Sequence, residues 1–176
     1  FDLVEFQTFI KPFAFQFMFS ALDVDSAIFL DNDIWVTSSL TEVWDHLTKR
    51  SAVLTPHYFS PCSEDGNLPS DRSILQAGVF NFGFVALSNS PTSTKFLEWW
   101  GERLSRYGFV DLERGMFFDQ NWGMFIPAFF DHEDYFVIRD QRYNIAYWNL
   151  HETGRGLHLR NGLPYIRRNG TVGPGE

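Results

Sequence analysis

The chain has 176 residues, 44% of them hydrophobic, enough to bury a core and pointing to one domain. Its net charge of −8 argues against a nucleic-acid binder, because gripping a phosphate backbone takes a basic surface. Cys62 is the only cysteine, which excludes an internal disulfide and suits a reducing compartment.

In chain order, Phe6, Ile10, Phe13 and Phe17 recur at helical spacing and predict an amphipathic helix over 4–20, kinked or restarted at Pro12. Asp2, Glu5, Lys11 and Pro12 interrupt this Phe-rich start, so it reads as neither a signal peptide nor a membrane span. No run approaches the roughly eighteen uninterrupted apolar residues of a transmembrane segment. Residues 26–30 predict a buried strand that runs into Asp31-Asn32-Asp33. Ser39-Leu40-Thr41-Glu42 has the spacing of a capping box, and Leu40, Val43, Trp44 and Leu47 predict the short helix behind it. A strand over 51–56 stops at Pro56, and 57–76 reads as a polar loop. A strand over 82–88 follows, then a helix over 92–107 that begins after Pro91 and places Phe96, Trp99 and Trp100 in the core. Residues 116–130 predict a further helix and 135–147 shorter strands; the final NGTVGPGE has no periodicity, and both ends read as cut or frayed. Strands alternating with helical stretches indicate an α/β fold.

An ionised carboxylate at the end of a buried strand is costly unless it is paired or binds a cation. The competing reading of Asp31 and Asp33 is a turn or helix cap, which Asp and Asn favour. In extended chain, residues i and i+2 point the same way, so both carboxylates would aim at one ion. Two carboxylates suit Mn²⁺ or Mg²⁺, which bridge readily to diphosphate oxygens. Ligands of open α/β sheets bind beyond the carboxyl ends of strands, where this pair falls.

The ordered series FLDNDIWV, LQAGVFNFGFVAL, FLEWWGERL, FFDQNWG and YNIAYWNLHE resembles nucleotide-sugar-dependent glycosyltransferases of the GT-A fold, related to the glycogenin-like and galactosyltransferase families. The resemblance spans about Glu5 to Glu152. It implies a mixed-sheet α/β sandwich, a UDP-sugar or similar donor, a glycan, lipid or protein acceptor, and a metal held by Asp31 and Asp33. It further implies donor contacts from Lys11, Asp31 and Asn32, a sugar or acceptor contact along Asn81, Phe82 and Gly83, and Asp119 and Gln120 beside the anomeric centre. Asn149 would face the donor, and His151 would be the further metal ligand. These families open with strands that hold the nucleobase and ribose, which are missing before Phe1. The chain therefore reads as a partial catalytic domain over 1–160, incomplete at its N-terminus, with a flexible or truncated tail over 161–176 and a cytoplasmic or membrane-peripheral location.

Each of these residues has a plainer reading. Lys11 would be a solvated charge on its helix; Asn81 and Gly83 would shape a strand; Asp119 would support its helix; His57 would be structural. Two other functions compete. A haloacid-dehalogenase-like phosphatase also has a strand ending in Asp-x-Asp, but it needs Thr or Val where Trp35 stands and a late lysine, whereas Lys95 is the only lysine after Lys49. A non-catalytic sugar-binding fragment is the third reading.

Overall fold

The computed structural model describes residues 3–62, 66, 68–152, and the backbone of 157–160 and 163–166. Its centre is a mixed four-stranded sheet formed by β1 (Ser26–Leu30), β2 (Ala52–Pro56), β3 (Phe80–Ser88) and β6 (Tyr135–Val137). The strand order is β1-β3-β2-β6, with β3 antiparallel to both β1 and β2, and β2 parallel to β6. The carboxyl ends of β1, β2 and β6 thus share one edge with the amino end of β3. That edge carries the site.

Both faces of the sheet are covered, as the α/β expectation requires. On one face Ala52, Leu54, Val85 and Leu87 pack against helices α2 (Lys11–Ala21) and α5 (Pro91–Tyr107), through Phe15, Phe19, Phe96 and Trp100. On the other, Val53, Phe84 and Ala86 meet Val43 and Leu47 of α3 (Thr41–Leu47) and Ile138. Helix α5 begins where Ser90 accepts a hydrogen bond from the Ser93 amide. Ser93 Oγ in turn donates to the Ser51 carbonyl at 3.0 Å, which fastens the helix to the start of β2.

Several elements depart from the sequence reading. The first helix does restart beside Pro12, as α1 (Leu3–Phe9) and α2, but the face it buries carries Lys11, Phe15 and Phe19, while Phe6 and Phe17 are exposed. No capping box forms at Ser39: α3 begins one residue later than that spacing requires, and Ser39 Oγ instead accepts from the Thr41 amide. The polar loop ends in α4 (Asp71–Ala77), whose capping box uses Ser70 and Ser73. The predicted helix over 116–130 is broken. Gly115 and Phe118 have positive φ, β4 (Val110–Asp111) pairs with β5 (Met116–Phe117), and only the single-turn helices α6 (Gln120–Gly123) and α7 (Ile126–Phe129) follow. Of the strands expected over 135–147 only β6 forms, and residues 147–149 make a 3₁₀ turn. Strand β7 (Leu157–Arg160) pairs with β8 (Leu163–Ile166), so the expected tail boundary at 160 falls within a hairpin. Residues 161, 162 and 167–176 of that tail lie outside the described residues.

Candidate functional site

The site is built around an irregularity in β3. Leu54 pairs with Val85, but Pro56 pairs with Phe80, so β3 carries extra residues over 80–84. The bulge takes Phe82 out of the alternation that puts Phe84 and Ala86 on one face and Val85 and Leu87 on the other. Its backbone groups then need partners from elsewhere. The Phe82 amide donates to Gln120 Oε1 at 3.2 Å, the Phe82 carbonyl accepts from Lys11 Nζ at 2.8 Å, and the Gly83 amide donates to Asn81 Oδ1 at 2.8 Å. Lys11 and Asn81, singled out in the sequence as donor contacts, and Gln120, expected beside the anomeric centre, therefore hold the bulge open.

Lys11 is 1% exposed. Besides the Phe82 carbonyl, its ammonium faces Asp31 Oδ1 at 3.0 Å and Asp119 Oδ2 at 2.8 Å, and stands 5.1 Å from the centre of the Phe29 ring. Three oxygens lie within 3.0 Å of the buried ammonium, so Lys11 is neither a solvated helix charge nor free to reach a phosphate. Asp119, 2% exposed, follows Phe118, whose φ of +47° turns the chain so that the carboxylate enters the interior. Burial raises the Asp119 pKa, the Lys11 charge and hydrogen bond oppose the rise, and Asp31 adds to it. The Asp119 carbonyl accepts from the Trp100 indole at 3.3 Å, which fixes the same residue from its other side.

Asp31 connects this interior to solvent. Its amide donates to the Gly83 carbonyl at 2.8 Å, one step beyond the last pair of β1, and its carbonyl accepts from the Ile34 amide at 3.1 Å. Residues 31–34 are thus a turn and not the extended segment expected, because Asp and Asn supply local turn geometry readily. Even so, Asp31 and Asp33 both line one cleft of about 660 Å³, together with Asn81, Gly83, Arg142 and Asn144. A Cβ added at Gly83 would come 3.2 Å from Asp31 Oδ2, so glycine keeps a side chain from crowding that oxygen while Oδ1 is held by Lys11.

Among the described residues no three of His, Cys, Asp and Glu converge as a metal-ligand group. A divalent cation at Asp31 and Asp33 would complete its shell with substrate oxygens and water, a common arrangement for Mg²⁺. The missing Cβ beside Asp31 Oδ2 at Gly83, and the shared lining of one cleft by Asp31 and Asp33, fit such an ion. His151, expected as a further ligand, instead packs edge-on against Tyr58 with its Nε2 3.4 Å from the Ser60 carbonyl.

The other expected contacts separate clearly. Asn81 and Gly83 line the cleft, whereas Asn32 is an exposed residue of the turn outside its lining. The Phe82 ring is fully buried edge-on against Trp100, so it cannot touch a ligand. Gln120 and Asp119 stand behind the bulge and line no part of the cleft. Asn149 is buried and braces the backbone: its amide group donates to the His57 and Asn144 carbonyls and accepts from the Ala146 amide. His57 is buried outside the cleft lining; burial lowers its pKa to about 4, with hydrogen bonding to the Gly78 and Val79 backbone opposing the fall. Sequence reasoning missed Asn144, which links Asn81 Nδ2 at 2.6 Å to the Pro56 carbonyl at 2.7 Å. Its φ of +52° is a conformation Asn tolerates, and an Asn beside an aromatic run was the available signal. Compared with family models, curated proteins and solved structures, the chain matches none of them.

Proposed function

We propose that this chain carries the donor-binding part of a metal-dependent glycosyltransferase, in which Asp31 and Asp33 hold Mn²⁺ or Mg²⁺ against the diphosphate of a nucleotide sugar. One observation carries the reading: Asp31, with one carboxylate oxygen fixed by a buried lysine and no side chain at Gly83 to crowd the other, lines a single cleft together with Asp33. A bound cation would neutralise charge on the leaving nucleoside diphosphate. In the transfer, the bond from the anomeric carbon to the diphosphate oxygen breaks, an acceptor hydroxyl oxygen takes its place, and the hydroxyl proton is released. Lys11 orients Asp31 and offsets the negative charge of Asp31 and Asp119. Asp119 and Gln120 act as positioning residues, the first by holding Lys11 and the second by holding the Phe82 amide, so that Asn81 and Gly83 keep their place in the cleft. The acceptor would lie across the Asn81–Gly83 edge. Among the described residues no helix is long and apolar enough to cross a membrane.

The experiment is a thermal-shift panel of UDP-, GDP-, ADP- and TDP-sugars with Mn²⁺, run on the chain and on Asp33→Ala. Metal-dependent stabilisation by one nucleotide class, lost in the folded variant, is the expected result. Equal stabilisation of both proteins removes the metal-site reading. Hydrolysis of simple phosphomonoesters in preference to nucleotide sugars would favour a phosphatase.

A further inference from the structure

Of the five aromatic residues that line the cleft, none used by the proposed donor site, Trp35 and Tyr147 are the two that stand exposed. Trp35 follows the Asp31–Ile34 turn and is 66% exposed; Tyr147 comes from the 3₁₀ turn near the chain's other end and is 73% exposed. Both line the same 660 Å³ space as the two aspartates. Other aromatic rings, such as Phe6 and Phe17, are also exposed, but Trp35 and Tyr147 share one cleft with the aspartates, and the Tyr147 ring is held edge-on by Trp148 at 5.0 Å. Thr37, Ser38 and Ser39 put hydroxyls on the loop after Trp35, and Asn81 and Asn144, held to each other by a hydrogen bond, add two amides with further bonding capacity to the cleft lining. Flat apolar faces beside scattered hydroxyl and amide groups match a pyranose, which has an apolar C–H face and a hydrogen-bonding rim.

Two further observations narrow the ligand. Among the described lining residues the only cation is Arg142, which is paired with Asp140 at 2.7 Å through its Nη2 and lies 3.6 Å from Glu42. The remaining lining charges are Asp31 and Asp33. An anionic glycan would meet carboxylates with no unpaired positive group among the described lining residues, so charge favours a neutral one. Exposure bears on size. Small-ligand sites bury most of their occupant's surface, whereas rings this open suit a chain that continues into solvent.

We infer that Trp35 and Tyr147 are the stacking faces of a subsite for a neutral oligosaccharide, the acceptor class of the proposed transfer, on which this assignment of the subsite's role rests. The ligand is bound by ring stacking on the two side chains and by hydrogen bonds to the Ser/Thr loop and the two asparagines. Its reactive end is directed toward the aspartates.

The test uses Trp35→Ala, Tyr147→Ala and the double variant, each checked for folding by circular dichroism. An immobilised set of neutral and sialylated oligosaccharides of hexose and N-acetylhexosamine units supplies the probes, and Mn²⁺ with UDP, GDP, ADP or TDP supplies the nucleotide arm. The expected result is retention of neutral oligosaccharides by the parent chain, weakened about three- to tenfold by each single change and more by both, with nucleotide binding changed less than about twofold. Loss of nucleotide binding in the variants would assign the rings to the base and overturn the inference. So would glycan retention equal in parent and double variant, its absence from both, or a preference for the sialylated probes. Failure of the parent to bind any nucleotide with Mn²⁺, while neutral glycans still bind through Trp35, would remove the transferase reading and leave the sugar subsite standing.

Discussion

Lys11 holds together groups that lie far apart along the chain, from Asp31 to Asp119. Removing one partner of a buried ion pair leaves an uncompensated charge and costs about 3–5 kcal/mol, whereas replacing the pair by neutral groups is far milder. Lys11→Met is therefore expected to lower the unfolding free energy by about that much. Lys11→Met combined with Asp119→Asn should recover most of the loss, and urea denaturation of the two variants checks the difference. Equal instability of both would mean that Lys11 contributes through its packed methylenes and not through its charge. At this scale the sequence was partly legible. Resemblance singled out Lys11, which lies against Asp31, and the cost of burying charge singled out Asp31 and Asp33, which line one cleft. The enclosure of Lys11 by three oxygens was not legible, since helical periodicity treats a lysine as a solvated position. Nor was the turn at 31–34, because an apolar strand running into Asp-Asn-Asp fits extended and turned backbone equally well.

Among the elements, the bulged start of β3 decides where the site stands. Regular pairing would have returned Phe82 to the alternation of its neighbours and removed the need for Gln120 and Lys11. Gly83→Ala tests the bulge directly, because the new Cβ would stand 3.0 Å from Asn81 Oδ1 and 3.2 Å from Asp31 Oδ2. Under the metal-site proposal, Mn²⁺ affinity followed by electron paramagnetic resonance should fall about tenfold, or ~1.4 kcal/mol, with the fold retained. Unaltered affinity would show that Asp31 Oδ2 takes no part. Gly123→Ala should act on stability instead. Its Cβ would overlap the buried Phe82 ring at 2.0 Å, and the ring is backed by Trp100, so overpacking should cost about 1–3 kcal/mol or more in urea denaturation. Elements with one clear signal were legible: the apolar runs of β1 and β2, and α5 with its Ser-Pro start and aromatic stripe. The stretch 116–130 was not, since it is apolar nearly throughout and offers no period to separate one helix from a chain broken at Gly115 and Phe118. Helix α4 was obscured by a Ser-x-x-Ser box, which lacks the Glu or Gln of the usual signature.

Across the whole molecule, the same sheet edge that carries the aspartates is locked by His57, which links three parts of the fold. Its amide donates to the Val79 carbonyl before β3, its carbonyl accepts from Asn149, and its ring meets Trp148 edge-on at 5.5 Å. Burial drops its pKa from 6.5 to about 4, so the ring is neutral in the fold at pH values where the unfolded chain binds a proton. Between those limits the unfolded state holds more protons, and stability rises with pH. The His57 contribution is fully present above about pH 6.5 and is lost as pH falls to 4. Its full size is about 3 kcal/mol, since each tenfold loss of proton affinity on folding is worth roughly 1.4 kcal/mol. Asp119 has the opposite sign: its raised pKa means that the fold holds the extra proton, so its contribution declines as pH rises from the ordinary Asp value of 3.8. Above pH 3.8 the two groups act in opposite directions. His57→Gln, which keeps a polar amide but cannot titrate, should remove the acid-side loss attributed to the ring. Asp119→Asn should remove the opposing contribution that begins above pH 3.8 and make the acid-side decline steeper than in the parent chain. Urea midpoints measured at closely spaced pH values across the acid and neutral range separate these cases, and a His57→Gln profile parallel to that of the parent would show that the acid sensitivity of the fold arises elsewhere.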